Sequence, residues 1–371
     1  MTGTISNQTY ADRIARAQAE MGRRNLDYLF ISPSSDLVYL LGYPAHTSER
    51  LTALVIPRDA HATAVVPALE APRLAGRGDL VRVQAWEETA DPVALVASML
   101  GDLGGKAIAV SDQLWSGFLL RLMDACPGAR FVNADLVLKE LRVVKTAEEL
   151  GYLREAGRRT DAAWEEFVGG ATLAGRSELE VARQLGELME RHGLGSPAFM
   201  ICASGPASAS PHHLTGDRRI REGDAVVFDF GGNVEGYKSD ITRTVHVGEP
   251  GDEFRRVYRV VDEARQAAFA AVRPGATCES IDAVARRVIA EAGYGEYFIH
   301  RVGHGLGLDV HEEPYLVGGN TLPLREGMVF SDEPGVYLPE RFGIRIEDSV
   351  ACTTTGGELL NNARRELAVM A

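Results

Sequence analysis

Five side chains in the second half of the sequence have the types and the spacing of a metal site. They are four carboxylates and one imidazole, each in a short apolar stretch beside glycines: Asp229, Asp240, His304, Glu333 and Glu347. Hard oxygen donors with a single nitrogen suit divalent cations such as Mn²⁺, Co²⁺ or Zn²⁺. Two cations that share carboxylates can form a hydrolytic centre. The cluster therefore predicts a dinuclear hydrolase site.

The first two carboxylates lie in a segment that is typical of a β-hairpin. In residues 225–247, β-branched and aromatic runs flank a Gly/Asn-rich centre. Asp229 and Asp240 are symmetric about the midpoint between Val234 and Glu235. In a regular hairpin with that centre they would face each other, with Cβ atoms about 5 Å apart. Two carboxylates at that distance repel each other unless a cation lies between them.

A second carboxylate pair with the same geometry is expected near the C-terminus, in residues 328–350. Glu333 and Glu347 are symmetric about Glu340, which lies in the expected turn LPERF. The two glutamates would therefore lie opposite each other across a second hairpin. One such pair could arise by chance, but two pairs indicate a shared function.

The overall composition is that of an ordinary globular protein. The chain has 371 residues, of which 45% are hydrophobic and 25% are charged. This length indicates two domains or one large domain. The net charge of −13 would repel a phosphate backbone, so we expect no nucleic-acid partner. The sequence contains no run of about 20 apolar residues that could span a membrane.

The cysteines and the N-terminal segment favour a reducing, cytoplasmic location. Cys126, Cys202, Cys278 and Cys352 are scattered without CxxC spacing, which favours buried thiols over disulfides or a zinc site. The first 25 residues are polar and charged with helical spacing, which is not typical of a signal peptide. We therefore expect a soluble cytoplasmic protein.

The chain up to about residue 140 alternates strand-like runs with helical patterns, which predicts an α/β domain over residues 1–140. The predicted helices cover residues 8–23, 91–103 and 114–125. The predicted strands are DYLFIS, LTALVIP, ATAVVPAL, LVRVQAW, AIAVSD and ARFVNA.

Residues 141–371 form the predicted second domain, in which two helices and a carboxylate hairpin occur twice. The first helix opens with the capping box TAEE and runs to about Val168, and the second opens with the capping box SELE. Two further helices, over residues 252–272 and 279–292, precede the second hairpin. This order predicts two related halves that bring their hairpins together over one metal centre.

Histidines are concentrated around the predicted ligands. Six of the nine histidines lie between residues 212 and 311, and three of them fall within twelve residues: His300, His304 and His311. A single histidine is more often a structural hydrogen-bonding group than a ligand. Three in a glycine-rich segment, where the backbone can approach closely, favour a functional site.

The motifs around these residues resemble those of the pita-bread metallopeptidases. This family includes Xaa-Pro aminopeptidase (aminopeptidase P), Xaa-Pro dipeptidase (prolidase) and methionine aminopeptidase. The resemblance covers about residues 146–365, and its motifs occur in the family's order: DFGGNVEGYKSDITRT, GHGLGLDVHE, DEPGVY and GIRIED. The preceding α/β layer resembles the creatinase-like domain of the Xaa-Pro branch, which methionine aminopeptidases generally lack. The implied fold is a creatinase-like α/β domain followed by an α+β pita-bread domain with two pseudo-twofold halves.

The resemblance also implies a role for each ligand. Asp229 would chelate one metal, Asp240 and Glu347 would bridge the two metals, and His304 and Glu333 would bind the second. The two ions, Mn²⁺ in the first place with Co²⁺ or Zn²⁺ as alternatives, would acidify a water that attacks the scissile carbonyl. Glu333 would shuttle the proton to the leaving nitrogen.

Other residues are implied in substrate binding. His212 and His311 match the family histidines that contact the substrate and steady the tetrahedral intermediate, and His300 matches a histidine on the side of the departing proline. Arg345 lies two residues before Glu347 and so on the same strand face. We expect its guanidinium to orient ligand carboxylates through charge-assisted hydrogen bonds.

Three residues near these positions leave two interpretations open. His213 could substitute for His212 or simply pack against its neighbours. Tyr237 and Thr242 could support the metal ligands or pack in the core.

The resemblance further implies a homodimer, because Xaa-Pro enzymes commonly dimerise. In such a dimer Asp36, His46 and Arg50 of the first domain could reach a neighbouring subunit's active site. The alternative is that they lie in surface loops that cap strands.

The function that these observations favour is hydrolysis of the bond between an N-terminal residue and a following proline. Within this class the short chain, without a long insertion, favours a dipeptidase over an aminopeptidase that acts on longer peptides. An arginine beside the proline would also favour a dipeptidase; Arg301 lies in that region, but strand parity turns it away from His300. Two alternatives are another small-amide hydrolase on the same scaffold and a non-catalytic binding protein that has kept the fold.

Overall fold

The computed structural model describes residues 5–371, which divide into two compact units of residues 5–142 and 143–371. Residues 1–4, the start of the predicted first domain, lie outside the described residues.

The first unit contains a mixed sheet that confirms the predicted strands. Its strands, in chain order, are β1 Tyr28–Ile31, β2 Ala53–Pro57, β3 Thr63–Pro67, β4 Arg82–Trp86, β5 Ala107–Val110 and β6 Arg130–Asn133. Their spatial order within residues 5–142 is β4-β3-β2-β1-β5-β6. β1 pairs antiparallel with β2 and parallel with β5. The parallel pairs follow helical crossovers, as expected for an α/β layer.

The helices of the first unit include two that the sequence analysis missed. The helices are α1 Asn7–Arg23, α2 Ser35–Leu41, α3 Pro92–Leu100, α4 Ser116–Ala125 and α5 Asp135–Arg142, with a 3₁₀ helix over Ala71–Arg77. The missed helices are α2 and α5, both too short for periodicity to be clear. α2 nevertheless has both end signals: the Ser34 hydroxyl accepts from the amide of Leu37, and Gly42 has a φ of +65° after its last turn.

Two helices of the second unit begin where the capping boxes predict, and two further helices follow the first hairpin. They are α6 Ala147–Gly170, α7 Glu178–Arg191, α8 Asp252–Ala271 and α9 Cys278–Glu291. Both capping boxes are present, with Thr146 and Ser177 as the N-caps. Within residues 5–371, the structure has no helix that combines the length and the apolar character needed to cross a membrane.

The strands of the second unit form two larger sheets and two short hairpins. They are β7 Phe199–Ser204, β8 Ala225–Gly231, β9 Asn233–Val234, β10 Tyr237–Lys238, β11 Ile241–Val247, β12 Gly303–Gly305, β13 Glu312–Leu316, β14 Val329–Asp332, β15 Gly335–Leu338, β16 Phe342–Arg345, β17 Asp348–Thr353, β18 Gly356–Leu359 and β19 Val369–Met370. Within residues 143–371, one sheet has the order β19-β11-β8-β7 and the other β13-β12-β14-β17-β18. The predicted repeat of two helices and a hairpin is thus confirmed.

The register predicted for the first hairpin is wrong by two residues. β8 pairs with β11 so that Asp229 lies opposite Thr242, and Asp240 does not face Asp229. The centre lies one residue later than expected because Glu235 and Gly236 form the turn, with φ values of +51° and +88°. Two successive positive φ angles are those of a type I′ turn, in which glycine is favoured. Because the shift is an even number, both aspartates still project from one face.

The register predicted for the second hairpin is confirmed. β15 pairs with β16 and β14 with β17 about the same centre, Glu340, which has a φ of +61°. Between these two ladders the strands separate at Glu333 and Glu347. The Glu333 amide donates to the Val302 carbonyl, and Glu347 forms an isolated bridge with Thr242. The two glutamates therefore lie at a gap in the hairpin, where each strand pairs with another part of the unit.

The turn at Gly236 gives a testable prediction about stability. A Cβ at Gly236 would lie 3.2 Å from Leu308 Cδ2, on a backbone that alanine disfavours. We expect Gly236→Ala to lower the free energy of unfolding by about 1–2 kcal/mol. The matched control is Gly151→Ala, because Gly151 is helical with open space around it; this change should instead stabilise by about 0.5–1 kcal/mol. Denaturant unfolding of both variants measures the difference, and equal effects would contradict the assigned turn.

Candidate metal centre

The five predicted ligands are brought together from both hairpins of the second unit. Asp229 lies on β8, Asp240 just before β11, and His304 on β12, whereas Glu333 and Glu347 follow β14 and β16. The Nε2 atom of His304 is 3.2 Å from Glu333 Oε1 and 3.6 Å from Asp240 Oδ2. Ligand atoms of Asp240, His304 and Glu347 all lie within 4.8 Å of one another. These three residues could hold a metal ion.

Glu347 connects the two hairpins. Its amide donates to the Thr242 carbonyl at 3.1 Å, and its Oε2 accepts from the Thr242 hydroxyl at 2.5 Å. Its other carboxylate oxygen, Oε1, is buried and has no hydrogen-bond partner among residues 5–371. A buried carboxylate oxygen without a donor is costly unless a cation is bound to it. The hydroxyl and the carbonyl of Thr242 are thus both engaged by a predicted ligand.

Arg345 holds the opposite side of the centre. Its Nη2 donates to Asp229 Oδ2 at 2.5 Å, its Nε to the Thr242 hydroxyl at 2.9 Å, and its Nη1 to the Tyr337 hydroxyl at 2.8 Å. The guanidinium is buried. Arg345 therefore makes the expected contact with the Asp229 carboxylate. Each of its three guanidinium nitrogens donates a hydrogen bond.

The carboxylates of the centre have strongly shifted ionisation. Burial, followed by repulsion from neighbouring carboxylates, raises the pKa of Asp240 and of Glu347 well above the usual values. Burial also raises the pKa of Asp229, although the charge of Arg345 opposes this. Burial opposes the ionisation of Glu333 too, but the hydrogen bond and charge of His304 lower its pKa to about 2.

Divalent cations fit this environment. Asp240 and Glu347 are buried, and Asp229 and Glu333 are mostly buried; one buried arginine lies beside this group, so negative charge is in excess. The donors are oxygens with one imidazole nitrogen, and Glu347 Oε1 has no other partner. The side chains present are therefore those that a centre for divalent ions requires.

The glycines beside His304 let strands pack closely around the centre. A Cβ at Gly303 would overlap the Ser331 carbonyl, and one at Gly305 would overlap the Glu313 carbonyl. The close backbone approach predicted for this segment is therefore confirmed.

Two of the predicted substrate histidines border the ligands. The rings of His311 and His304 have centroids 3.9 Å apart. Loss of solvent around the ring, with the neighbouring His304, lowers the pKa of His311 to about 4. His300 Nε2 lies 2.8 Å from the Tyr337 hydroxyl, which also accepts from Arg345. His300 is thus joined to the centre through Tyr337.

The third substrate histidine, His212, is exposed, and its neighbour His213 anchors the loop that carries it. His213 Nε2 is 2.8 Å from Glu178 Oε2, and the Gly216 amide donates to the same oxygen at 3.2 Å. Glu178 Oε1 accepts from the amide and the hydroxyl of Ser204. One buried carboxylate therefore fixes both ends of the loop, and His213 is part of that anchor.

Sequence analysis missed Glu178 and a second group behind the ligands. Asp348, adjacent to Glu347, is fully buried and accepts from Arg243 at 2.8 Å and from Arg365 at 2.6 Å. Arg265 lies 3.4 Å from the same carboxylate. Glu178 had one local signal, its place in the first turn of a helix after an N-cap serine. The arginines are distant in sequence and gave none.

The remaining candidate positions have structural contacts. Tyr237 donates its hydroxyl to Glu149 of α6 at 2.7 Å. In the first unit, Arg142 donates to the buried Asp36 at 2.6 Å, and Arg50 donates to Glu88 at 2.7 Å. His46, the third candidate there, is exposed.

Comparison with known families identifies two models that match the chain. The model described as metallopeptidase family M24 matches residues 151–354, and the creatinase/prolidase N-terminal domain matches residues 13–144. Both predicted resemblances are thereby confirmed.

Curated proteins and solved structures similar to this chain include dipeptidases. A "Probable dipeptidase PepE" of Mycobacterium tuberculosis is 45% identical over 98% of this chain and 97% of its own length. An Xaa-Pro dipeptidase of Pyrococcus horikoshii is 35% identical over 94% of this chain and 96% of its own. The crystal structure of a prolidase from Thermococcus sibiricus has a TM-score of 0.93 with 38% identity, and the match covers 98% of this chain and 99% of that one.

The charge excess at the centre leads to a prediction for the metal-free protein. Asp240→Asn removes one of several mutually repelling buried carboxylates, so we expect it to raise the melting temperature of chelator-treated protein. Addition of Mn²⁺ should stabilise the parent protein more than this variant, which reverses their order. Thermal unfolding with and without metal measures both effects.

The matched control for this substitution is Asp348→Asn. Asp348 is equally buried but is paired with arginines. Loss of that pairing should destabilise the protein by ~3–5 kcal/mol whether metal is present or absent. Destabilisation of the metal-free protein by Asp240→Asn would show that its carboxylate is not under repulsion.

Proposed function

The chain belongs to metallopeptidase family M24, and we propose that it is an Xaa-Pro dipeptidase with a dinuclear metal centre in residues 141–371. The observation that carries the proposal is the cluster of carboxylates around His304. The negative charge of this cluster is not compensated by the side chains beside it, and one oxygen of Glu347 has no hydrogen-bond partner among residues 5–371. In this assignment Asp229, Asp240, His304, Glu333 and Glu347 bind the ions.

The proposed reaction divides the chemistry between the ions and the side chains. Two bound divalent ions would polarise the scissile carbonyl and lower the pKa of a water molecule. Glu333 is the carboxylate that accepts a proton and passes it to the leaving nitrogen. That nitrogen belongs to proline and has no hydrogen of its own in the peptide, so it must receive this proton to leave as an amine.

The histidines around the centre bind and orient the substrate in this proposal. His311, whose lowered pKa of about 4 keeps it neutral at pH 7, can donate a hydrogen bond to a developing oxyanion without adding a charge. His300 is held by Tyr337 and by the Arg301 carbonyl, on the side assigned to the departing proline. His212 extends from the anchored loop toward solvent and is assigned to substrate contact.

The proposal includes Mn²⁺, a homodimer and a cytoplasmic location. Four carboxylates among five donors support Mn²⁺ over softer ions, with Co²⁺ and Zn²⁺ as alternatives. The homodimer is what the family resemblance implies. The four cysteines are buried and free, which supports a reducing compartment.

A comparison of three peptides tests the substrate assignment. With Mn²⁺ present, we expect rapid hydrolysis of Ala-Pro and slow or undetectable hydrolysis of Ala-Pro-Ala and of Ala-Ala. Chromatographic measurement of released alanine and proline gives kcat/KM for each. Comparable rates on Ala-Pro and Ala-Pro-Ala would indicate an Xaa-Pro aminopeptidase. Failure on both prolyl peptides would contradict the proposal and favour another hydrolase on this scaffold.

Replacement of one ligand tests the metal assignment. We expect His304→Ala to reduce the metal content per chain and to lower kcat on Ala-Pro by at least about a hundredfold, because the displaced ion no longer supports the chemistry. Elemental analysis after dialysis measures the metal directly. The control is His192→Ala, because His192 pairs with Glu166 on the surface and should leave metal content and activity unchanged. Full metal content in His304→Ala would exclude His304 as a ligand.

A further inference from the structure

A groove with an excess of positive charge lies between α8 and residues 362–367, the C-terminal segment. Its volume is about 980 Å³, which is at the upper end of the range for small-molecule sites. No predicted metal ligand and no predicted substrate histidine is among the described residues that line it. Six arginines line the groove: Arg255, Arg256, Arg259, Arg265, Arg364 and Arg365.

The charge of the groove is opposite to that of the whole chain. Its six arginines are accompanied by three carboxylates, those of Asp252, Asp262 and Glu366. In the full sequence, acidic residues outnumber lysine and arginine by 52 to 39. A cleft lined by an excess of one sign of charge raises the local concentration of ions of the opposite sign. We therefore expect the groove to attract anions.

The arginines that α8 contributes to the groove repel one another. Arg259 comes four residues after Arg255 and three after Arg256, and side chains at these separations are neighbours on the surface of a helix. Like charges at this spacing destabilise a helix. An anion bound between them would offset the repulsion. The sequence of α8 thus places three cations where one anion can contact them together.

Two of these cations have no carboxylate partner. Within residues 5–371, Arg259 forms no hydrogen bond or ion pair, and Arg256 forms one hydrogen bond, from its Nε to the Tyr294 hydroxyl at 3.3 Å. Both arginines are exposed. Their guanidinium groups therefore retain N–H donors that a ligand can use.

Two other arginines form a fixed wall of the groove. Arg265 donates to Asp262 at 2.8 Å and lies 3.4 Å from Asp348, and Arg365 donates to Asp348 at 2.6 Å. Asp348 and Arg265 are buried. Because these ion pairs hold the wall in place, part of the groove is already ordered before a ligand binds, which lowers the entropic cost of binding.

We propose that this groove binds a small anion that carries two or more phosphate groups. The N–H donors of a guanidinium match phosphate oxygens in a bidentate geometry, and several arginines can hold separate phosphates. The volume accommodates a molecule of the size of a nucleotide or a sugar bisphosphate. The concave shape favours such a molecule over a nucleic acid, which the net charge of −13 would repel.

This anion site is independent of the proposed peptidase function. The described residues that line the groove include none of the five predicted ligands and none of the histidines assigned to the substrate. The groove lies behind the strand that carries Glu347, because Arg265 and Arg365 reach Asp348 from the groove. A phosphate compound could therefore bind without displacing a peptide from the metal centre.

Isothermal titration calorimetry of the full-length, metal-loaded protein with fructose 1,6-bisphosphate tests the site. The two phosphates of this probe are on separate carbons, so it chelates Mn²⁺ less than a nucleoside triphosphate does. We expect saturable binding with a Kd below about 1 mM, weaker binding of fructose 6-phosphate and no binding of fructose. Added KCl should weaken binding of the bisphosphate, because salt screens the charges.

The double substitution Arg256→Gln with Arg259→Gln removes the two cations that have no carboxylate partner. We expect it to weaken binding of the bisphosphate by roughly tenfold or more, the range of hydrogen bonds to charged groups. Thermal unfolding checks that the variant folds as the parent does.

The matched control is the double substitution Arg183→Gln with Arg287→Gln. Both control arginines are exposed on helices, and neither lines the groove. Like Arg259, they form no hydrogen bond or ion pair within residues 5–371. The control therefore has the same change in net charge and should bind the bisphosphate as the parent does.

Three results would overturn the assignment of this groove. The first is the absence of saturable binding by the parent protein. The second is equal weakening in the two double variants, which would indicate an unspecific effect of net charge. The third is unchanged binding in the Arg256→Gln/Arg259→Gln variant; loss of binding in His304→Ala would then place the phosphates at the metal centre.

Discussion

Repulsion between buried carboxylates is the constraint on which the second unit depends. Asp229, Asp240, Glu333 and Glu347 are enclosed by strands that offer few donors, and burial raises the pKa of three of them. Such a group is tolerated in a folded protein when cations compensate it. The structure supplies one fixed cation, Arg345, and leaves the remaining charge to bound ions.

Polar and positively charged side chains behind the predicted ligands compensate the negative charge of the carboxylates. The Thr242 hydroxyl donates to Glu347 and accepts from Arg345. Because Arg345 also binds Asp229, this hydroxyl connects two of the predicted ligands. Asp348, one residue after Glu347, is balanced by arginines from α8, β11 and the C-terminal segment. The strand that carries Glu347 is therefore fixed by ion pairs on one side and by the centre on the other.

Local patterns in the sequence predicted the hairpins and the capped helices, because each depends on neighbouring residues. The register of the first hairpin failed because symmetry alone does not locate a turn. The turn lies at Glu235 and Gly236, where both residues have positive φ angles, a conformation that glycine accepts readily. The contact of His213 with Glu178 and the arginines around Asp348 could not be predicted, because these partners are tens of residues apart and meet only when the strands pack.

The bridge between Thr242 and Glu347 has a further consequence for how the protein would assemble. These residues are 105 positions apart, and each comes from a different half of the repeat. Ions bound by residues of both halves would act as a removable cross-link that closes this long loop, and closing a long loop lowers the entropy of the unfolded chain. Metal loading would then be a late step of maturation as well as a requirement for chemistry. Without metal, the two halves would still be joined by the ion pairs of Arg345 with Asp229 and of Arg243 with Asp348, and by hydrogen bonds such as the one between Thr242 and Glu347.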